Sequence, residues 1–204
     1  MSKFIFLLSI VLFSITANSQ NDNRLLNKKW KTGIFMGLYQ PNTISKDDIS
    51  TLAVISNSTG YTTGLFIEYS LTKNIVLSPK FAFSFGQSTV DFLIDEKPEK
   101  FTLMQLTPDI SFDIMYKFDK KCQPYILAGT VYKIPINSND STQDWYEEKS
   151  SIGISLGLGL NKAFKYFITS PELKYAIGLN NISNHPAIKS LYYHAISLTV
   201  GFKG

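Results

Sequence analysis

The chain has 204 residues, one domain's worth of sequence, and its formal net charge at pH 7 is +4. Cys122 is the single cysteine, which excludes an internal disulfide and a thiolate metal cluster. The basic balance is accompanied by neither a basic helix nor an aromatic and basic platform, so the sequence argues against a nucleic-acid partner.

The first segment is organised like a secretory signal peptide. Lys3 precedes an apolar run, and small residues at Ala17 and Ser19 precede a candidate cleavage site before Gln20. The apolar run is short for a helix that spans a bilayer, which argues against a retained anchor. We therefore predict that residues 1–19 are removed on export.

The remainder of the chain alternates large apolar residues with small or polar ones, the period of two that β-strands require. In residues 151–161 every even position is a large aliphatic residue and every odd one is Gly, Ser or Asn. Such a wall is apolar on one face and small or polar on the other, as a membrane β-barrel requires. In chain order the pattern predicts eight strands, near residues 30–39, 61–70, 75–86, 104–117, 123–134, 151–161, 172–180 and 192–202. The alternation is unclear in the fifth of them.

The connections between these strands alternate in length. Long links are predicted over residues 41–60, 88–100, 135–150 and 181–189, and short ones near residues 72–74, 119–121 and 162–166. Outer-membrane barrels combine long extracellular loops with short periplasmic turns. Basic residues gather at the short turns, where they predict a basic periplasmic rim: Lys73, Lys120, Lys121, Lys162 and Lys165.

These observations predict the fold class and the location together. We expect an all-β protein, an eight-stranded antiparallel, up-and-down transmembrane β-barrel in the outer membrane, with both termini in the periplasm. Residues 20–29 would form a periplasmic N-terminal segment and residues 30–204 the barrel. Lipid and lipopolysaccharide of the outer membrane would be its surroundings.

A soluble lipocalin-like barrel is the alternative, because alternation alone does not say which face points inward. Three features favour the membrane. One face is uniformly large and apolar while the other is rich in Gly, Ala and Ser, charges of both signs occur in mid-strand on that second face, and aromatic residues gather towards strand ends. These aromatic residues are Tyr61, Tyr69, Phe101, Tyr116, Phe118, Tyr166 and Tyr192.

Charged residues of both signs occur in mid-strand on the small-residue face. An eight-stranded barrel is just wide enough for its own side chains to fill it, and unpaired buried charge is costly. We therefore expect these charges to form a structural network in the barrel interior, which argues against a diffusive pore. The predicted network comprises Glu68, Lys80, Asp109, Asp113, Glu172 and Lys174.

No pattern predicts a catalytic, cofactor-binding or metal-binding residue. Residues 153–157 (GISLG) match the G-x-S-x-G nucleophile pattern, but that motif acts at a strand-to-helix elbow, and the alternation simply continues through Ser155. His185 and His194 are the only histidines, too few for a histidine-based metal site. Because some eight-stranded outer-membrane barrels modify lipids, a Ser/His/Glu site is the enzymatic alternative to a protein that is not an enzyme.

Several segments of the chain resemble the PorT-type outer-membrane barrels of the Bacteroidota, within the broader group of small porin-like barrels. The segments are residues 33–38 (GIFMGL), 106–108 (LTP), 113–118 (DIMYKF), 123–129 (QPYILAG) and 170–181 (SPELKYAIGLNN). The resemblance implies a non-enzymatic accessory or structural component of type IX protein secretion, with other envelope proteins of that system as partners. It assigns no catalytic, cofactor or metal residues.

The chain departs from the usual pattern at its end, where Phe202 is followed by Lys203 and Gly204. A terminal aromatic residue often marks the barrel-assembly signal, so Phe202 would serve from two positions back.

The alternative function is a generic small barrel that acts in adhesion or envelope integrity through its extracellular loops.

Overall fold

A computed structural model describes residues 23–45, 53–94, 97–103, 105–119, 122–136, 149–183 and 190–204. The predicted signal peptide lies outside these residues. No helix among them is long and apolar enough to cross a membrane. A short helix, α1 (Asn23–Leu26), precedes ten strands, β1 (Trp30–Ser45), β2 (Ala53–Ser70), β3 (Ile75–Ile94), β4 (Lys97–Leu103), β5 (Leu106–Lys117), β6 (Pro124–Lys133), β7 (Ser151–Leu160), β8 (Lys162–Ala163), β9 (Ile168–Gly178) and β10 (Leu191–Lys203).

The ten strands form a closed wall of eight. Strands β4 and β5 keep one register against β3, and β7 and β8 keep one register against β9, so each pair is a single strand with a local break. All pairings are antiparallel, and β10 pairs with both β9 and β1, which closes the ring. The predicted eight-stranded antiparallel barrel is therefore confirmed.

The side chains follow the predicted alternation, with the apolar row outside. On β7, Ile152, Leu156 and Leu158 are each more than half exposed, whereas Ser155 is buried. On β6, where the sequence left the alternation open, Tyr125 and Leu127 point inward. A β-barrel with an exposed aliphatic wall and a polar interior has the faces that lipid requires, not those of a soluble barrel.

Two of the predicted long links are largely strand, and the prediction is wrong there. Residues 88–100 contain the end of β3, which runs to Ile94, and the start of β4 at Lys97. In the link over residues 41–60, β1 continues to Ser45 and β2 begins at Ala53. The alternation is weak in these segments, but the ladder provides the backbone with partners: Val90, for example, is paired on both sides, in register with Ile55 and Phe101.

The turns at the end of the barrel opposite the long links are short, as predicted. We call the end of the barrel that contains residues 71–74, 118–119, 122–123 and 164–167 the short-turn end, and the opposite one the long-loop end. Both Trp30 at the start of β1 and Lys203 at the end of β10 lie at the short-turn end. One difference is that β8 occupies the first two positions of the predicted turn at residues 162–166.

The ladder between β2 and β3 changes register between Ser58 and Tyr61, and Gly60 lies within this irregularity. A Cβ atom on Gly60 would lie 1.5 Å from the carbonyl oxygen of Phe85. Since a bulge needs close backbone approach at this point, only a residue without a side chain fits.

Substituting Gly60 with Ala should therefore destabilise the barrel. The new methyl group would meet rigid backbone, so we expect Gly60→Ala to lower the free energy of unfolding by about 1–3 kcal/mol. The measurement is urea unfolding of the protein reconstituted in lipid vesicles. Gly201→Ala is the matched control, because the nearest atoms to its Cβ would belong to side chains, the ring of Phe66 at 3.3 Å and Cβ of Ser170 at 3.6 Å. Equal stability of the two variants would contradict the interpretation of the bulge.

Candidate functional site: the charged barrel interior

The structure places all six residues of the predicted network inside the barrel. They project from β2, β3, β5 and β9, whose inward rows carry the small residues that leave them room. Glu68 and Asp113 are 2% and 1% exposed. The described interior contains three groups of charges, stacked along the barrel axis and separated by small polar and aromatic residues.

The central group joins two acids and two lysines. Lys174 Nζ lies 2.8 Å and Lys80 Nζ 3.2 Å from Asp113 Oδ2, and Lys80 Nζ also lies 2.6 Å from Glu172 Oε1. The hydroxyl of Tyr125 donates to Glu172 Oε2 at 2.9 Å. Asp113 and Glu172 thus share Lys80, and each has a second donor, so the buried charges compensate one another.

The second group lies at the short-turn end, around a single carboxylate. Glu68 accepts hydrogen bonds from Lys203 and, at 3.1 Å, from Lys117. Lys203 also donates to Asn161 Oδ1 at 2.7 Å. The buried Lys31 ends nearby and donates to the carbonyl oxygen of Lys28 at 2.8 Å. Because Glu68 of β2 binds Lys117 of β5 and Lys203 of β10, these contacts tie together strands on both sides of β1.

The third group lies towards the long-loop end. Lys133 Nζ is 2.9 Å from Asp109 Oδ2 and donates to the hydroxyl of Tyr39 at 3.0 Å. Tyr39 in turn donates to the hydroxyl of Tyr193 at 2.9 Å, and Ser84 donates to Asp109 at 2.6 Å. The group crosses the barrel from β5 to β1 and β10.

The described interior groups also contain lysines that were not among the six predicted residues, namely Lys31, Lys117, Lys133 and Lys203, and uncharged partners such as Tyr125. The alternation of inward and outward side chains along a strand could have identified two of them. Lys117 lies in the same inward row of β5 as Asp113, and Lys203 in the same inward row of β10 as Tyr193. Their position at strand ends made them resemble rim residues. Lys133 and Tyr125 lie on β6, whose alternation the sequence left open.

The rim lysines have different surroundings. Lys73 is exposed and pairs with Asp119 at 2.6 Å, while Lys165 Nζ lies 5.1 Å from the centroid of the Tyr166 ring. Lys162 Nζ lies 5.5 Å from the centroid of the Phe164 ring. These three lysines belong to the short-turn end; Lys120 and Lys121 lie outside the described residues.

The interior has little free volume. Two cavities of about 60 and 20 Å³ lie between the charged groups, room for a few water molecules. Among the described residues, no group of three or more His, Cys, Asp or Glu side chains could hold a metal ion. The arrangement is suited to filling and cross-linking a barrel.

The G-x-S-x-G match does not form a nucleophile site with the described histidine. Ser155 lies in the middle of β7 and donates from inside the barrel to Asp113 Oδ1 at 3.2 Å. His194 lies in the outward row of β10, stacked against Tyr175 with 6.2 Å between ring centroids. The two side chains therefore lie on opposite faces of the wall, and His185 is outside the described residues.

A closed wall of eight antiparallel strands, apolar outside and filled with paired charges inside, defines a small β-barrel protein of the outer membrane. The sequence matches the model of the outer membrane protein beta-barrel domain over residues 18–184. The chain belongs to this family, and it is an outer-membrane protein. No curated protein sequence matches the chain at a significant level.

Solved structures show the same fold. Neisserial surface protein A (NspA) superposes with a TM-score of 0.59 at 10% sequence identity, covering 86% of this chain and 96% of its own. For the outer membrane protein OprG from Pseudomonas aeruginosa the TM-score is 0.57 at 15% identity, with coverages of 87% and 97%. The outer membrane protein AlkL in lipid bilayers superposes with a TM-score of 0.56 at 14% sequence identity, covering 86% of this chain and 89% of its own.

Removing the charge of Glu68 should destabilise the barrel strongly. The variant Glu68→Gln would leave Lys117 and Lys203 without their shared counter-ion, and breaking such a buried pair costs about 3–5 kcal/mol. Urea unfolding in lipid vesicles is the measurement. Asp119→Asn is the matched control, because its pair with Lys73 is exposed and should contribute about 0–1 kcal/mol. A loss for Glu68→Gln no larger than the control would show that the network does not stabilise the barrel.

Proposed function

We propose that this protein is a non-enzymatic outer-membrane barrel that serves as an accessory component of type IX protein secretion. It acts through its outer wall and its two ends, not by passing solutes through its interior. The observation that supports this proposal most directly is the filled interior, where the charged groups around Glu68, Asp113 and Asp109 follow one another along the axis.

Among the described residues, the interior groups fill the barrel with paired charges, which argues against a pore. The two cavities described between the charged groups have volumes that suit water molecules. Opening a passage would require several buried ion pairs to separate together, and each separation exposes uncompensated charge. A barrel of this size therefore offers its surfaces to partners.

The secretion role is supported by the resemblance to PorT-type barrels, which is carried above all by residues 170–181. In the fold this segment covers β9 from Ser170 onwards and the three residues after it, and its asparagine side chains bind the backbone of neighbouring strands. Asn180 Oδ1 accepts from the backbone N–H of Ile152 at 2.6 Å, and Asn181 Oδ1 accepts from that of Leu191 at 2.8 Å. Such contacts suit a structural component, and none of them points to catalysis.

The filled interior predicts that the purified barrel does not admit small solutes. In liposome-swelling assays, proteoliposomes should not swell in isotonic solutions of monosaccharides beyond the level of protein-free liposomes. A porin reconstituted in the same lipids is the positive control. Swelling that depends on the concentration of the protein would contradict the proposal that the interior is closed.

Deleting the gene should abolish or strongly reduce the export of type IX cargo, and a plasmid copy should restore it. The copy with Ser155→Ala should restore export as well, because the proposed role needs no nucleophile. Normal cargo export in the deletion strain would overturn the secretion role. Normal export together with weakened adhesion or a leaky envelope would favour the alternative function through the extracellular loops. A changed lipid profile would instead indicate a lipid-modifying enzyme.

A further inference from the structure

An apolar groove of about 560 Å³ runs along the outside of the wall at the short-turn end. It crosses β10, β1 and β2, and the turn of residues 164–167 forms its side. The turn is held by aromatic contacts: Phe164 stacks on Phe167 with 5.1 Å between centroids, and Phe167 lies 6.2 Å from Phe202. The principal lining side chains are Thr32, Ile34, Leu65, Ile67, Tyr166 and Phe202.

Cationic side chains lie beside this groove. Lys165 is exposed, and its Nζ lies over the ring of Tyr166, which lines the groove. Across β1, Lys29 Nζ lies 5.2 Å from the centroid of the Tyr69 ring, which packs on Trp30 at 4.4 Å. Lysines and aromatic rings together at the end of an apolar wall are typical of the level at which lipid headgroups lie.

We propose that this groove binds one molecule of an anionic glycerophospholipid. An acyl chain lies against Ile34, Leu65 and Ile67, and the phosphate of the headgroup pairs with Lys165. The groove faces the bilayer, so an apolar chain is its natural occupant, and the cation beside it complements a negative headgroup. The choice of a glycerophospholipid over a lipid A molecule rests on the expected periplasmic location of the short turns.

The lipid headgroup and the acyl chain contact different residues, so each contribution can be tested with its own variant. Lys165→Ala removes the cation and leaves the groove, whereas Leu65→Trp fills the groove and leaves the cation. Leu65 is 60% exposed on the outer wall, so a larger apolar side chain there does not disturb the interior. Lys73→Ala is the matched control, a lysine of the same rim whose Nζ pairs with Asp119 and not with a ring that lines the groove.

The experiment is native mass spectrometry of the purified full-length barrel after incubation with an equimolar mixture of phosphatidylglycerol and phosphatidylcholine. We expect the wild-type protein and Lys73→Ala to retain one phosphatidylglycerol in preference to phosphatidylcholine. Lys165→Ala should reduce this preference about fivefold, the effect of one lysine near an anionic headgroup. Leu65→Trp should reduce the retention of both lipids. The migration of unboiled samples on an SDS gel shows that each variant is a folded barrel.

Three results would overturn the proposal. Equal preference in the Lys165→Ala and Lys73→Ala proteins would mean that the lipid does not contact Lys165. Displacement of phosphatidylglycerol by lipid A at equal concentration would assign the groove to the other leaflet. A protein that co-purifies with the wild type, is lost from Leu65→Trp and prevents lipid retention would identify a protein partner as the occupant. These measurements use the purified protein alone, so their outcome is independent of the secretion assay.

Discussion

Closure of the sheet by the pairing of β10 with β1 is the constraint on which the rest of this structure depends. Hydrocarbon offers no hydrogen-bond partners, so a sheet in the membrane is stable only if its two edge strands satisfy each other. The ladder from Gly33–Lys203 to Ser45–Leu191 fulfils this requirement along β1 from Gly33 to its end. Closure at eight strands then fixes the radius, and a small radius leaves the inward side chains in contact with one another.

Charge pairing in the interior follows from this radius. Lys80 reaches Asp113 on the neighbouring strand β5, and it also reaches Glu172 because β9 lies across so narrow a barrel. Glu68 likewise draws Lys117 of β5 and Lys203 of β10 to one point. The same contacts that compensate buried charge therefore cross-link the wall and fill the described interior, so stability and the filling of the interior have one physical cause.

Sequence reasoning predicted the fold well because one rule, the alternation of two faces, operates along every strand. It predicted six interior charges for the same reason. It missed interior residues and strand ends where the alternation is weak, or where a charged residue also suits another position. On β6 the inward residues Tyr125 and Leu127 are themselves apolar, so the alternation that would place Lys133 disappears. Lys203 was overlooked because a charge near a strand end suits a rim equally well. The extent of β3 beyond Ser88 depends on pairing with β2 and β4, which no local pattern contains.

The glycines of the inward rows complete the connection between sequence and interior chemistry. A Cβ on Gly129 would lie 2.4 Å from Asp113 Oδ1, and one on Gly159 would lie 2.4 Å from Cζ of Tyr125. The missing side chain at Gly129 makes room for the carboxylate of Asp113, which the central lysines share. The missing side chain at Gly159 makes room for the phenol of Tyr125, which donates to Glu172. Small residues opposite large polar ones are thus a packing requirement of a filled barrel. A barrel whose inward glycines were replaced by larger residues would have to lose its charged network, and with it the contacts that hold opposite walls together.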